Sequence, residues 1–266
     1  MIALAQQEGK TCAWIDAEAS YDPKWAEQLG VDSEKLIYSP AKTINDMVDV
    51  ATKLMEAEVD LIVVDSISAL LPAIYFEKDG DELKNLQDTK QIGAEAKDMT
   101  HAVKMLNYAN KNTLLVLISQ QRNQFGSMHA SHIPTGGMAV KFFSSTVIKL
   151  WSSEAEANAI KAGVQVGDKI IEQKVGRPVN WIIDYNKVGP PGLSGQYDFY
   201  YQGDVIGIDA VGETLDVAEM FGIVEKGGAW YTMEGERLQG RAKAVQYLRN
   251  NPEVLEQLAE KVNAKH

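Results

Sequence analysis

The sequence predicts an α/β fold: a mostly parallel central sheet flanked by helices, extended by antiparallel strands and followed by a small α/β C-terminal domain. Three observations carry this. Leu61-Ile62-Val63-Val64, and Leu114-Leu115-Val116-Leu117-Ile118 within Thr113 to Ile118, are unbroken apolar runs, the pattern of strands covered on both faces rather than on one. The residues between them contain a helical stripe, Ile92, Ala96, Met99, Val103 and Leu106, which makes the two strands a right-handed βαβ unit. The character then changes near residue 206, where short helical and turn-rich segments follow. The expected domains are therefore 1–205 and 206–266.

Composition narrows the class. The 266 residues are 45% apolar and 24% charged, as in ordinary globular proteins, and no apolar run approaches the roughly 20 residues that span a bilayer. No signal peptide is evident, because the opening Met1-Ile2-Ala3-Leu4-Ala5 is short and lacks a basic leader. One cysteine, Cys12, excludes an intrachain disulfide and suits a reducing, cytoplasmic setting. The net charge of −11 argues against coating nucleic acid by overall field, so any DNA contact must be local.

Taken in order, residues 1–8 read as the end of a helix closed by Gly9. Thr11-Cys12-Ala13-Trp14-Ile15-Asp16 reads as a buried strand. If it persists to Glu18, Asp16 and Glu18 share a face; two acids there could polarise a water or hold Mg²⁺ through water, or simply cap the next helix. Asp22-Pro23 opens a short helix over 24–29, stopped by Gly30. Its Trp25 is either core or a platform for a flat ring. Residues 45–58 follow helical spacing and lead into the central strand.

That strand ends in Asp65-Ser66. Open parallel sheets bind ligands at the carboxyl ends of their strands, and a carboxylate beside a hydroxyl suits Mg²⁺ next to a nucleotide's phosphates. The same hexapeptide also suits a strand ending in a plain turn. The polar stretch 76–82 reads as a loop. The second buried strand ends in Ser119-Gln120, and residues 121–137 follow as a long polar segment. It contains Arg122, Asn123, Gln124 and Phe125 and ends in Thr135-Gly136-Gly137. Loops of that length are functional or disordered; cation, amides, ring and apolar wedge suit single-stranded nucleic acid, and a surface loop with no partner is the alternative. His129 and His132 lack a third ligand for a metal. Strands are expected at 146–151, 169–173, 180–184 and 197–201. In the tail come a helix over 214–221, a turn-rich 226–231, and two helices split by Asn250-Asn251-Pro252. Arg237, Arg241, Lys243 and Arg249 form a basic cluster there, read either as a solvated face or as a DNA patch.

Together, Glu8-Gly9-Lys10-Thr11-Cys12-Ala13, Ile15-Asp16-Ala17-Glu18, Ile62-Val63-Val64-Asp65-Ser66, Thr135-Gly136-Gly137 with Lys141-Phe142, and Gly228-Ala229-Trp230-Tyr231 resemble the bacterial and phage RecA recombinases over the whole chain. The resemblance implies a RecA-like P-loop NTPase core, ATP and Mg²⁺ as cofactors, and helical filaments on single-stranded DNA that exchange strands with a homologous duplex in recombination and repair. It implies that Glu18 orients the attacking water, that Asp65 with Ser66 serves the metal, and that Asp22, Trp25 and Tyr201 approach the adenine. Gln120 would link nucleotide state to the following loop, and Lys187 would reach a neighbour's ATP. Residues 121–137 would form one DNA loop, and the region of Ile92 and Lys97 another.

Three departures matter. The family's glycine-rich phosphate loop and N-terminal arm have no counterpart, because Met1 falls within the helix that follows the loop. Gly9-Lys10-Thr11 is a decoy, since it precedes a strand and a phosphate loop needs its amides at a helix start. Tyr185 stands where the family has the first of two lysines. The resemblance therefore implies weak ATP binding by this chain alone, and the alternative function is a non-hydrolysing DNA-binding or filament-modulating protein. A replicative-helicase-like ATPase fits less well, given the tail around Trp230.

Overall fold

A computed structural model describes residues 1–76, 94–120, 138–153, 155, 158–166, 169–203 and 205–265. The chain divides into two compact units, 1–148 with 183–192 and 149–182 with 193–266. The first contains α1 (Ile2–Gln7), β1 (Cys12–Asp16), α2 (Pro23–Gln28), β2 (Ile37–Pro40), α3 (Ile44–Glu56) and β3 (Leu61–Asp65). After a single 3₁₀ turn at Ala73–Tyr75 come α4 (Ala94–Ala109), β4 (Leu114–Leu117) and α5 (Met138–Phe143).

The four strands form a parallel sheet in the order β2-β1-β3-β4, with Asp16 level with Asp65 and Val64 level with Leu117. Alternation divides each strand between two cores. Ala13, Ile15, Ile62 and Val64 pack with Met47, Ala51, Met99, Val103 and Leu106 of α3 and α4. Cys12, Leu61 and Val63 pack on the other face with Ile2 and Leu36. Helix α3 starts where Thr43 and Asp46 make a reciprocal capping box, so its apolar stripe meets the sheet.

The run 113–118, expected as a fully buried strand, is instead the sheet's edge among the described residues. Leu115 and Leu117 pack toward the helices, but Leu114 is 56% and Ile118 37% exposed. An apolar run reports affinity for a covered position and does not say which neighbour supplies the cover.

A second sheet, ordered β5-β7-β8-β9 with β6 paired to β7, is built from β5 (Thr146–Trp151), β6 (Ile160–Val166), β7 (Lys169–Asn186), β8 (Ser194–Tyr200) and β9 (Gly207–Ile208). The separate runs expected at 169–173 and 180–184 are one strand, β7. Gly176 permits it: a Cβ there would lie 2.6 Å from the Phe199 carbonyl oxygen of β8, so only glycine allows the strands to approach so closely.

The C-terminal part consists of α6 (Ala210–Met220), an antiparallel sheet of β10 (Glu225–Gly227), β11 (Trp230–Met233) and β12 (Glu236–Gln239), then α7 (Arg241–Asn250) and α8 (Pro252–Asn263). Leu215, Ala218, Tyr231, Leu248 and Leu258 contribute to its own core. Helix α6 begins earlier than the expected 214 because Asp209 caps it, accepting from the Gly212 amide. Much of the basic cluster is committed internally. Arg241 forms a two-pronged pair with Asp216, Arg249 pairs with Asp209, and Arg237 lies 5.0 Å from the Trp230 ring centre.

Burial holds the carboxyls of Asp198 and Glu213 above the usual carboxylate range, and the charges of Asp216 and other nearby acids add to the effect. A raised folded pKa means that the folded state takes up protons first. Each acid then costs stability at neutral pH, and the cost disappears as pH falls through the folded value to below the unfolded one. Glu213→Gln keeps an acceptor for the Asp198 amide and is expected to raise Tm at pH 7. The gain should shrink toward pH 4 in melting curves across that range, and an equal Tm at pH 7 would refute it.

Candidate active site

Strands β1, β3 and β4 end side by side, and the segments just beyond them converge. The amides of Ala17 and Glu18 both donate to the Asp65 carbonyl, at 2.8 and 3.3 Å, so the chain turns immediately after β1. Ser66 is fully buried, and its hydroxyl donates to Glu18 Oε1. Gln120 Nε2 donates to the same oxygen at 3.2 Å, while the Gln120 amide donates to Ser68 Oγ at 2.9 Å. The peptide bond joining Asp65 to Ser66 is cis. Residues 18, 66 and 120, far apart in sequence, thus share one carboxylate oxygen.

Asp65 stands beside them, partly buried. Burial first, and then the negative charges of Glu18 and Asp16, push its carboxyl above the usual range. A hard divalent cation would relieve that crowding, and a carboxylate with an adjacent hydroxyl is a donor set that Mg²⁺ accepts when phosphates and waters complete its shell. Asp65 and Ser66 therefore fit the ion. Among the described residues no three His, Cys, Asp or Glu side chains form a metal cluster.

The condition under which Asp16 and Glu18 would share a face, a strand persisting to Glu18, is not met. The strand ends at Asp16, so alternation stops before Glu18. Asp16 is 3% exposed and accepts from the amides of Ser20 and Tyr21 and from the Tyr38 hydroxyl. It organises the turn, whereas Glu18 faces Ser66 and Gln120. The backbone bonding of residues 17–21 carries that distinction, and residue spacing does not.

The other candidates fall as follows. Asp22 is exposed and caps α2, accepting from the Lys24 and Trp25 amides at 2.9 and 3.4 Å; Trp25 is half-buried on that helix. Lys187 is exposed, and its Nζ donates to the Phe142 carbonyl at 2.7 Å. Beside it, Lys141 pairs with Asp184 at 2.7 Å and lies 5.9 Å from the Tyr185 ring centre, an arrangement not anticipated from the sequence. Tyr201 belongs to the second unit, where its amide donates to the Val175 carbonyl. Lys97 is exposed on α4. Ile92, Arg122, Asn123, Gln124, Phe125, Thr135, Gly136 and Gly137 lie outside the described residues. Gly9-Lys10-Thr11 does form a turn before β1: Gly9 has φ of 76°, and Asp60 holds Lys10 and the Thr11 amide.

Comparison with known proteins adds two matching family models, one described as the RecA N-terminal domain over residues 1–188 and one as the RecA C-terminal domain over 212–266. The chain is 33% identical over 271 residues to a protein named Protein RecA from Thioalkalivibrio sulfidiphilus (strain HL-EbGR7), covering 100% of this chain and 73% of that protein. It also aligns with the crystal structure of the RadB recombinase at 15% identity and a TM-score of 0.46, over 74% of this chain and 79% of that one.

Proposed function

Because this chain belongs to the RecA family, we propose that it works as an ATP-dependent recombinase, forming filaments on single-stranded DNA and exchanging strands with a homologous duplex. The observation that carries the reading is the shared oxygen of Glu18, tied to Ser66 and Gln120 at the ends of three parallel strands and next to Asp65.

In this reading Glu18 accepts a proton from, and so orients, the water that attacks the terminal phosphoryl group. Asp65 and Ser66 hold Mg²⁺, which supplies charge neutralisation at the phosphate oxygens. Gln120 is bonded to Glu18 and leads directly into 121–137, so a change at the carboxylate is passed to a proposed DNA loop. Asp22 and Trp25 receive the base, and Lys187 serves a neighbouring subunit's nucleotide. Arg122, Asn123, Gln124 and Phe125 with Thr135, Gly136 and Gly137, together with Ile92 and Lys97, contact single-stranded DNA. The acidic body, at −11 overall, leaves that contact to local groups.

The test is ATP hydrolysis by the full-length protein with Mg²⁺, with and without single-stranded DNA. Turnover stimulated by DNA is the expected result. Single-strand binding without turnover would replace this reading with that of a non-hydrolysing filament-modulating protein. Phe125→Ala is expected to weaken single-strand binding by about 1–3 kcal/mol, the worth of one stacked base; wild-type affinity in a fluorescence titration would remove Phe125 from the interface.

A further inference from the structure

Edge strand β2 runs parallel to β1 with Tyr38 level with Trp14. Side chains two residues apart on a strand share a face, so Tyr38 stands diagonal to Asp16. Its hydroxyl donates to Asp16 Oδ2 at 3.1 Å. The same buried carboxylate accepts from the amides of Ser20 at 3.3 Å and Tyr21 at 3.1 Å. Those amides lie at the far end of the turn that begins at Asp16 and carries Glu18. The near end is held separately, by the amides of Ala17 and Glu18 on the Asp65 carbonyl.

Such a turn needs holding. Ala19, between Glu18 and Ser20, has φ of 54°, a left-handed conformation that costs a residue with a side chain. The Tyr21 ring, at the end of the turn, packs against both Trp14 and Tyr38, with ring centres 5.7 and 5.5 Å away. Asp16 is therefore a clamp across the turn, and Tyr38 is the one side chain from another strand that bonds to it among the described residues.

We infer that Tyr38 is a positioning residue which, through Asp16, holds the 17–21 turn so that Glu18 stays on Ser66 and Gln120. This rests on the reading of Glu18 as the residue that orients the attacking water. Tyr38 touches no reacting atom. It restrains the backbone that aims Glu18, and a small displacement of an orienting group lowers the rate more than it lowers binding.

The experiment uses the full-length protein and Tyr38→Phe, which keeps the ring and removes the hydroxyl. Turnover at saturating ATP and single-stranded DNA is expected to fall about 3- to 10-fold, the worth of one hydrogen bond. KM for ATP and DNA affinity should be unchanged, and amide exchange at Ser20 and Tyr21 should quicken. Tyr21→Phe is the control, because the Tyr21 hydroxyl pairs with Ser33; both readouts should stay at wild-type values. Wild-type turnover or unaltered exchange in Tyr38→Phe would overturn the inference. If the unsubstituted protein hydrolyses no ATP, the catalytic reading of Glu18 fails, and exchange alone decides the clamp, faster exchange supporting it and unaltered exchange refuting it.

Discussion

Glu18→Gln in the full-length protein is expected to lower DNA-stimulated ATP turnover by about 10²–10⁴-fold, the range for removing a positioned general base, while single-strand binding persists. The substitution is conservative in shape. Glu18 Oε1 accepts from the Ser66 hydroxyl and from Gln120 Nε2, and a glutamine carbonyl oxygen can accept from both. What is lost is the negative charge and the ability to take a proton from water. The substitution also removes one of the two charges crowding Asp65, so Mg²⁺ should bind less tightly, and kcat is to be compared at saturating Mg²⁺. Measuring kcat and DNA affinity on the same preparation separates the chemistry from folding. Unchanged kcat would take Glu18 out of the catalytic role and leave its bonds as structural.

The second large effect is on stability. Asp209 is 5% exposed. It caps α6 through the Gly212 amide and is neutralised by Arg249 of α7 at 2.9 Å. Arg249→Ala would leave a buried carboxylate without its cation, a loss that typically costs about 3–5 kcal/mol. Because the guanidinium is itself partly exposed, the expected value is about 3 kcal/mol, read by chemical denaturation. Adding Asp209→Asn removes the stranded charge while keeping a good capping residue, so the double variant should recover most of the loss. A single-variant effect below about 0.5 kcal/mol, the ordinary range for surface substitutions, would show that the pair contributes little.

Arg249 also illustrates what a sequence leaves open. As part of a basic cluster with Arg237, Arg241 and Lys243 it suited either a solvated face or a DNA patch. The acids that engage Arg249 and Arg241, Asp209 and Asp216, lie 40 and 25 residues away, and no local pattern reveals such pairs. The junction between α7 and α8, by contrast, falls at the Asn250-Asn251-Pro252 break, because proline acts within its own turn of chain.

The same division runs through the site. Leu61–Asp65 was legible as the central strand, with Asp65 at its carboxyl end, since four apolar residues and an abrupt acid depend on nothing distant. The family resemblance drew Glu18, Ser66 and Gln120 into one chemistry, and the parallel register brings them onto one oxygen. The separate tasks of Asp16 and Glu18 were not legible, because they follow from β1 ending at Asp16 and from Tyr38 of the neighbouring strand. Nor was the edge position that β4 has among the described residues, since its apolar run reads like that of β3. Local periodicity, caps and breaks determined which segments are strands and helices and which acids stand at strand ends. Only the tertiary structure decided which strand lies at the edge among the described residues, which carboxylate bonds the amides of the turn and which accepts from Ser66 and Gln120, because those choices depend on partners that folding alone brings within hydrogen-bonding distance.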